Sequence, residues 1–152
     1  MPRSMLIRFT KLSDDEHRVQ VLRGNGSEEQ ATLNSRSFLR HDFAHLVTEE
    51  SVGLRNGFWG QIAKGATLNG EGLGGPGIQL AEALAAPIQT LMRLDAPLEK
   101  YQRTLEHLLP DRACVELAAQ VKERVRQLEG HWRATAYGET MEIEWQEDRE
   151  QG

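Results

Sequence analysis

The first residues of the chain alternate between apolar and polar side chains. Residues 6–12 and 17–23 both show this period of two, the pattern of a half-buried β-strand, and the polar segment 13–16 separates them. A Gly/Asn/Ser segment at 24–27 then breaks the alternation. The pattern therefore predicts an antiparallel hairpin over residues 5–23.

The end of the chain repeats this arrangement. Residues 132–137 and 141–145 alternate in the same way on either side of a glycine turn, which predicts a second hairpin over residues 131–145. Trp132 and Trp145 would then be neighbours on adjacent strands. We expect the two terminal hairpins to pair as one four-stranded antiparallel sheet, because this is the most economical way to satisfy their edges.

The middle of the chain, residues 35–129, changes to the three- and four-residue spacing of amphipathic helices. Ser35 is the predicted N-cap of the first helix, and Gly130 is the predicted stop of the last. A Gly-rich loop at 70–77 interrupts the region, and Pro87 is expected to kink or divide the helix that follows. We expect about four helices between the hairpins.

These elements predict a single α+β domain over residues 1–152, with the antiparallel sheet packed on the central helices. Charge and hydropathy exclude two classes of binding partner. A net charge of -5 without a basic patch argues against nucleic acid, and no apolar run approaches a membrane span, so no membrane partner is expected. The partner, small molecule or protein, stays unassigned, and a homodimer is compatible with two edge strands.

Cysteine usage and the N-terminus suggest a location. Cys114 is the single cysteine, so no internal disulfide can form, and we interpret it as a small buried side chain. The first residues lack the apolar run and cleavage site of a secretory signal. A cytoplasmic, bacterial-type protein is the resulting expectation.

The densest chemistry lies in the first predicted helix. His41, His45 and Glu49 follow one another at intervals of four, which places them on one helical face. Imidazole and carboxylate are ligands of borderline divalent metals, zinc above all. Because i and i+8 lie about 12 Å apart along a helix, only His41 with His45, or His45 with Glu49, can share an ion. Asp42 would orient an imidazole or act as a base.

At least one further ligand must come from another segment. The candidates are Glu71, His107, Asp111 and His131. Glu71 is preferred because the Gly-rich loop that carries it comes soon after the helix and could fold across the histidine face. We therefore expect a metal site of His41, His45, Glu49 and Glu71, with Asp42 and Glu49 as the candidate catalytic carboxylates.

The segment His41-Asp42-x-x-His45 resembles the HDxxH zinc motif of a ubiquinone-biosynthesis scaffold family. It is also similar to the HExxH signature of zinc metalloproteases, with Asp42 in place of the usual glutamate. In the first family a later glutamate completes the site. That position is Gly57 here, so the resemblance implies that Glu49 or Glu50 replaces it. HD-type phosphohydrolases carry an adjacent His-Asp pair as well.

Two functional hypotheses follow. In the first, the chain binds a divalent metal and carries out hydrolase-like chemistry, with a free carboxylate taking the proton of a metal-activated water. This requires the histidine face to line a concavity that contains a carboxylate from another segment. In the second, the chain is a non-enzymatic interaction module and the histidines belong to a solvated helix face. If the cluster is buried, mutual His–carboxylate pairing is the structural alternative.

Overall fold

The computed structural model describes residues 4–112 and 115–146. Its elements, in chain order, are β1 (Ser4–Lys11), β2 (Glu16–Leu22), β3 (Glu28–Asn34), α1 (Ser35–Val52), α2 (Phe58–Ala63), α3 (Pro76–Leu94), α4 (Leu98–Leu108), α5 (Val115–Ala134) and β4 (Thr140–Gln146). The four strands form one antiparallel sheet in the order β3-β2-β1-β4. The predicted α+β class and four-stranded antiparallel sheet are confirmed.

The sheet takes three strands from the N-terminal segment and one from the C-terminal segment, whereas two hairpins of two strands each were predicted. The hairpin of β1 and β2 is confirmed, and its register places Phe9 opposite Val19. The third strand is β3, which adds to β2, while β4 pairs alone with β1. Sequence reasoning missed β3 because it is an edge strand with no fully buried side chain, so its apolar alternation is weak.

The predicted second hairpin is wrong. Residues 131–134 belong to α5, which continues through Gly130 instead of stopping there. Trp132 extends the buried stripe of that helix at three- and four-residue spacing from Val125 and Leu128. It is therefore not a cross-strand neighbour of Trp145, which lies buried on β4.

Two helix boundaries also differ from expectation. Helix α3 runs without interruption through Pro87, and its first turn begins at Pro76, inside the predicted Gly-rich loop. Helix α2 is a short additional helix, so the described residues contain five helices where about four were expected. Cys114 lies outside the described residues, and its expected burial stays a prediction.

Helix α1 lies at the centre of the domain, between the sheet and the other helices. Phe43 packs edge-on against Phe9 of the sheet, with ring centroids 5.3 Å apart. Every residue from Asp42 to Glu49 is buried. Because these central turns of α1 are covered on every side, their polar side chains must find partners inside the protein.

His17 is buried on the inner face of β2. Its ring lies between Phe9 and Trp132, with centroid separations of 6.0 and 5.9 Å, and its Nδ1 is 2.9 Å from Ser35 Oγ. Burial lowers the pKa of His17 to about 4. The folded protein therefore keeps this imidazole neutral.

Acid should destabilise the fold through His17. The pKa of His17 is 6.5 in the unfolded reference and about 4 in the folded state, so the unfolded chain takes up a proton more readily. This linkage leaves the free energy of unfolding unchanged above pH 6.5 and lowers it as the pH falls toward 4. We expect the free energy of unfolding, measured with urea between about pH 7 and pH 4, to fall by about 2–3 kcal/mol more in the wild type than in His17→Leu.

A matched control is His107→Leu, which removes an exposed histidine from α4 and should leave the acid dependence close to wild type. Equal acid dependence in the wild type and in His17→Leu would contradict the assignment.

Candidate metal centre

The histidine cluster lies on α1, whose local geometry fixes the direction of each side chain. The helix begins after Asn34, whose side chain accepts a hydrogen bond from the Ser37 backbone N–H at 3.1 Å. Ser35, the predicted cap, is the first residue of the helix. The helix ends at Gly53 in the left-handed conformation, the usual helix stop.

Glu49 anchors the site although its side chain is completely buried. Its Oε1 accepts the Trp59 backbone N–H at 2.9 Å, and its Oε2 accepts the Phe58 N–H at 2.9 Å. Both N–H groups belong to the first turn of α2, where free donors and the helix dipole favour a negative charge. The Glu49 carboxylate therefore caps α2 and ties it to α1.

The same carboxylate orients His45. Glu49 Oε2 lies 2.9 Å from His45 Nδ1. Because a carboxylate only accepts hydrogen bonds, Nδ1 must carry a proton, which leaves Nε2 as the nitrogen that could bind a metal ion. The hydrogen-bond network thus assigns the tautomer that a metal-binding histidine needs.

The Nε2 atom of His45 is buried and has no hydrogen-bond partner. Its nearest acidic neighbour is Glu82 of α3, with Oε1 3.6 Å away. Two acceptors that face each other at this distance need a proton or a cation between them. What distinguishes this buried nitrogen is the carboxylate that it faces, an arrangement that a metal ion could bridge.

His41 completes the group from one helical turn earlier. Its Nε2 lies 4.0 Å from Glu82 Oε1, and its ring centroid is 4.5 Å from that of His45. One ligand atom each from His41, His45 and Glu82 can be chosen so that all lie within 4.8 Å of one another. Ligands of a tetrahedral zinc ion are about 3.3 Å apart, so small side-chain rotations would bring these three onto one ion.

Asp42 has the same relation to His41 that Glu49 has to His45. Its Oδ1 lies 3.2 Å from His41 Nδ1. This hydrogen bond raises the pKa of His41, and burial raises the pKa of Asp42. Each imidazole therefore has a carboxylate on Nδ1 and turns Nε2 toward Glu82.

The predicted site residues divide into two groups. His41 and His45 lie together as expected, while Asp42 and Glu49 are positioned to orient the imidazoles. Both Glu49 oxygens are engaged in hydrogen bonds, so the structure gives it a different role from the metal ligand that we expected. Glu71 lies exposed in the loop before α3 and is not a member of the group.

Glu82 was missed by the sequence reasoning. It is the only acidic residue of α3, and an isolated carboxylate on an otherwise apolar helix was the one available signal. Sequence spacing does not reveal that α3 packs beside α1. The three outside candidates other than Glu71, namely His107, Asp111 and His131, also lie outside the group.

Gly57 allows α2 to approach the buried carboxylate. A Cβ placed on Gly57 would lie 2.7 Å from Glu49 Cδ, closer than real Cβ contacts allow. This is the position at which the ubiquinone-biosynthesis motif carries a glutamate, and the structure leaves no room for a side chain there. The close approach is needed for the two α2 N–H groups to reach Glu49.

An apolar cavity of about 400 Å³ adjoins the cluster. Phe38, Phe58 and Leu68 contribute to its walls, and His41 and Asp42 lie at its polar side. Residues 68–70, just before Glu71, form part of the wall, so this loop does fold toward the histidine helix. The site therefore has a concave neighbour that could accept an apolar group.

No family model, curated protein or solved structure matches this chain. Among the described residues, no helix combines the length and the apolar character required to cross a membrane. The chemistry of the site must therefore be argued from its own residues.

Replacing Gly57 tests the contact with Glu49. In Gly57→Ala the added methyl group must displace the carboxylate, and overpacking of this kind costs about 1–3 kcal/mol. We expect a corresponding loss in the free energy of unfolding measured with urea. Gly74→Ala is the matched control, because a Cβ there meets open space. Equal stability of the two variants would show that α2 does not depend on this close approach.

Proposed function

We propose that this chain binds a divalent metal ion through His41, His45 and Glu82, with zinc favoured, and uses it for hydrolase-like chemistry. One observation carries the proposal: His45 Nε2 is buried without a hydrogen-bond partner and faces Glu82, while Nδ1 is fixed by Glu49. A metal ion would satisfy both facing acceptors.

The surroundings favour a metal over simple mutual pairing of histidines and carboxylates. Mutual pairing would satisfy the Nδ1 atoms through Asp42 and Glu49, but it leaves His45 Nε2 facing Glu82 at 3.6 Å, beyond hydrogen-bond distance. Carboxylates that orient the far side of metal-binding imidazoles are the common second layer of such sites. The imidazole and carboxylate donors suit zinc and its neighbours in the first transition series.

The proposed ligand set leaves a coordination position open. Three protein ligands and one exchangeable position are typical of catalytic zinc, which lowers the pKa of bound water to about 7. Glu82 is half-exposed, so solvent reaches this side of the group. Asp42 lies on the Nδ1 side of His41, away from Nε2, so we assign it the orientation of that imidazole and not the role of catalytic base.

The interaction-module alternative would use an exposed apolar patch as its docking surface. The large exposed apolar side chains among the described residues are Leu12, Phe38, Leu94, Val115 and Tyr137. The carboxylate from a second segment that the metal hypothesis requires is present at Glu82.

Metal content is the primary test. Untagged protein, purified and then dialysed against trace zinc, should contain about one equivalent by elemental analysis, as expected for one three-ligand site. Glu82→Gln should lose most of it, because the amide is neutral. Glu50→Gln, an exposed position on α1, should retain it.

Two further controls make the result decisive. Glu82 is half-exposed, so its variant should keep the wild-type circular dichroism spectrum and unfolding midpoint. His107→Ala removes an exposed histidine and reports adventitious binding. Zinc content in Glu82→Gln equal to that of the wild type would overturn the proposed ligand set.

Asp42 can be tested through metal affinity. Loss of an orienting carboxylate commonly weakens metal binding by about 10–100-fold. We expect a decrease of about tenfold or more for Asp42→Asn in competition with a chelating dye, and no change for the exposed Asp111→Asn. An unchanged zinc affinity in Asp42→Asn would remove its assigned role.

A further inference from the structure

A second cavity, of about 550 Å³, lies beside the metal centre in the groove between α1 and α3. Its α1 side consists of Ser35, Arg36, Ser37, Leu39, Arg40 and His41, and its α3 side consists of Ala86, Gln89, Thr90 and Arg93. The earlier residues of α1 thus face the later residues of α3, while His45 meets Glu82, so the two helices run antiparallel. The groove therefore continues directly from the metal centre into this cavity, with His41 at the boundary.

The side chains that line the cavity carry a net positive charge although the protein is acidic. Its walls carry three arginines, Arg36, Arg40 and Arg93, against one carboxylate, Glu129. The chain as a whole has a net charge of -5. Arginines gathered in one cavity of an acidic protein raise the local concentration of anions there.

The three arginines differ in their partners. Arg40 is fixed by Glu129, with its Nε and Nη2 2.9 and 2.8 Å from the same oxygen. Arg36 pairs at the surface with Asp15 at 2.9 Å. Arg93 has no ion pair within the described residues. Its guanidinium is therefore the one whose paired donors are available to an incoming oxyanion.

Other groups in the cavity also suit an anion. Ser35, Ser37, Gln89 and Thr90 supply polar side chains to its walls. The beginning of α1 and the end of α3 both lie at this place, so their opposite helix dipoles offset each other and the charge of the cavity comes from its side chains. Glu82, Ala86 and Arg93 follow one another on one face of α3, so Arg93 lies about 16 Å along the helix from the metal centre.

We propose that this cavity binds the oxyanion group of a small molecule, a phosphate or a carboxylate, with Arg93 as its principal ligand. That this anion anchors the substrate acted on at the metal centre rests on the proposed function. Binding of the anion itself does not, because none of the arginines is a metal ligand.

The test uses the metal-free chain of residues 1–152 and two probes, inorganic phosphate and succinate, at matched ionic strength. Binding is measured by calorimetry for the wild type, Arg93→Gln and Arg126→Gln. Arg126 is an exposed arginine of α5 whose nearest ion-pair partner is 3.9 Å away. We expect Arg93→Gln to weaken binding by about fivefold or more and Arg126→Gln to leave it unchanged.

The two probes identify the chemistry of the natural ligand. Tighter binding of phosphate would assign a phosphorylated molecule, and tighter binding of succinate would assign a carboxylic acid. Equal weakening in both arginine variants would mean non-specific attraction and would overturn the proposal. Failure of both phosphate and succinate to bind the wild type would also overturn it.

Glu82→Gln separates this proposal from the proposed function. It should lose zinc and retain anion binding, whereas Arg93→Gln should retain zinc and lose anion binding. A wild type that binds no zinc but binds phosphate or succinate through Arg93 would overturn the metal centre and leave the anion site in place.

Discussion

The buried carboxylate of Glu49 is the interaction on which the site depends. An unpaired charge at such a position would cost several kcal/mol, and here it accepts three N–H groups from two elements. Because two of these donors form the first turn of α2, the position of that helix and the proton on His45 are set by the same group. Gly57 follows from this constraint, since any side chain there would push the carboxylate away.

The other buried polar side chains of α1 also have partners inside the protein. A helical segment covered on every side would ordinarily be apolar, yet the central turns of α1 bury Asp42, His45, Thr48 and Glu49. The Thr48 hydroxyl donates a hydrogen bond to the Ala44 carbonyl at 2.8 Å. Asp42 pairs with the imidazole of His41, and Glu49 pairs with that of His45. These pairs provide hydrogen bonds for the Nδ1 atoms of both histidines but not for their Nε2 atoms, which face Glu82. A metal ion bound between Glu82 and the two Nε2 atoms would supply the missing interaction.

Electrostatics and shape then distinguish the two sides of His41. On one side lies an apolar cavity with aromatic walls, and on the other lies a groove with three arginines. A small molecule with an apolar part and an anionic group would match both surroundings. The acidic surface elsewhere would repel anions, so the arginine groove is where such a molecule would be attracted.

Features that depend on local periodicity could be predicted from the order of the residues. The β1–β2 hairpin, the helical middle and the pairing of His41 with His45 all follow from spacings of two or four residues, which act within one element. The tertiary structure decided what depends on packing between elements. Glu82 joins the histidines because α3 packs on α1, Trp132 stays helical because α5 needs it in its buried stripe, and β3 forms because β2 offers it an edge. Contacts of this kind join residues far apart in sequence, and no local pattern of side chains encodes them.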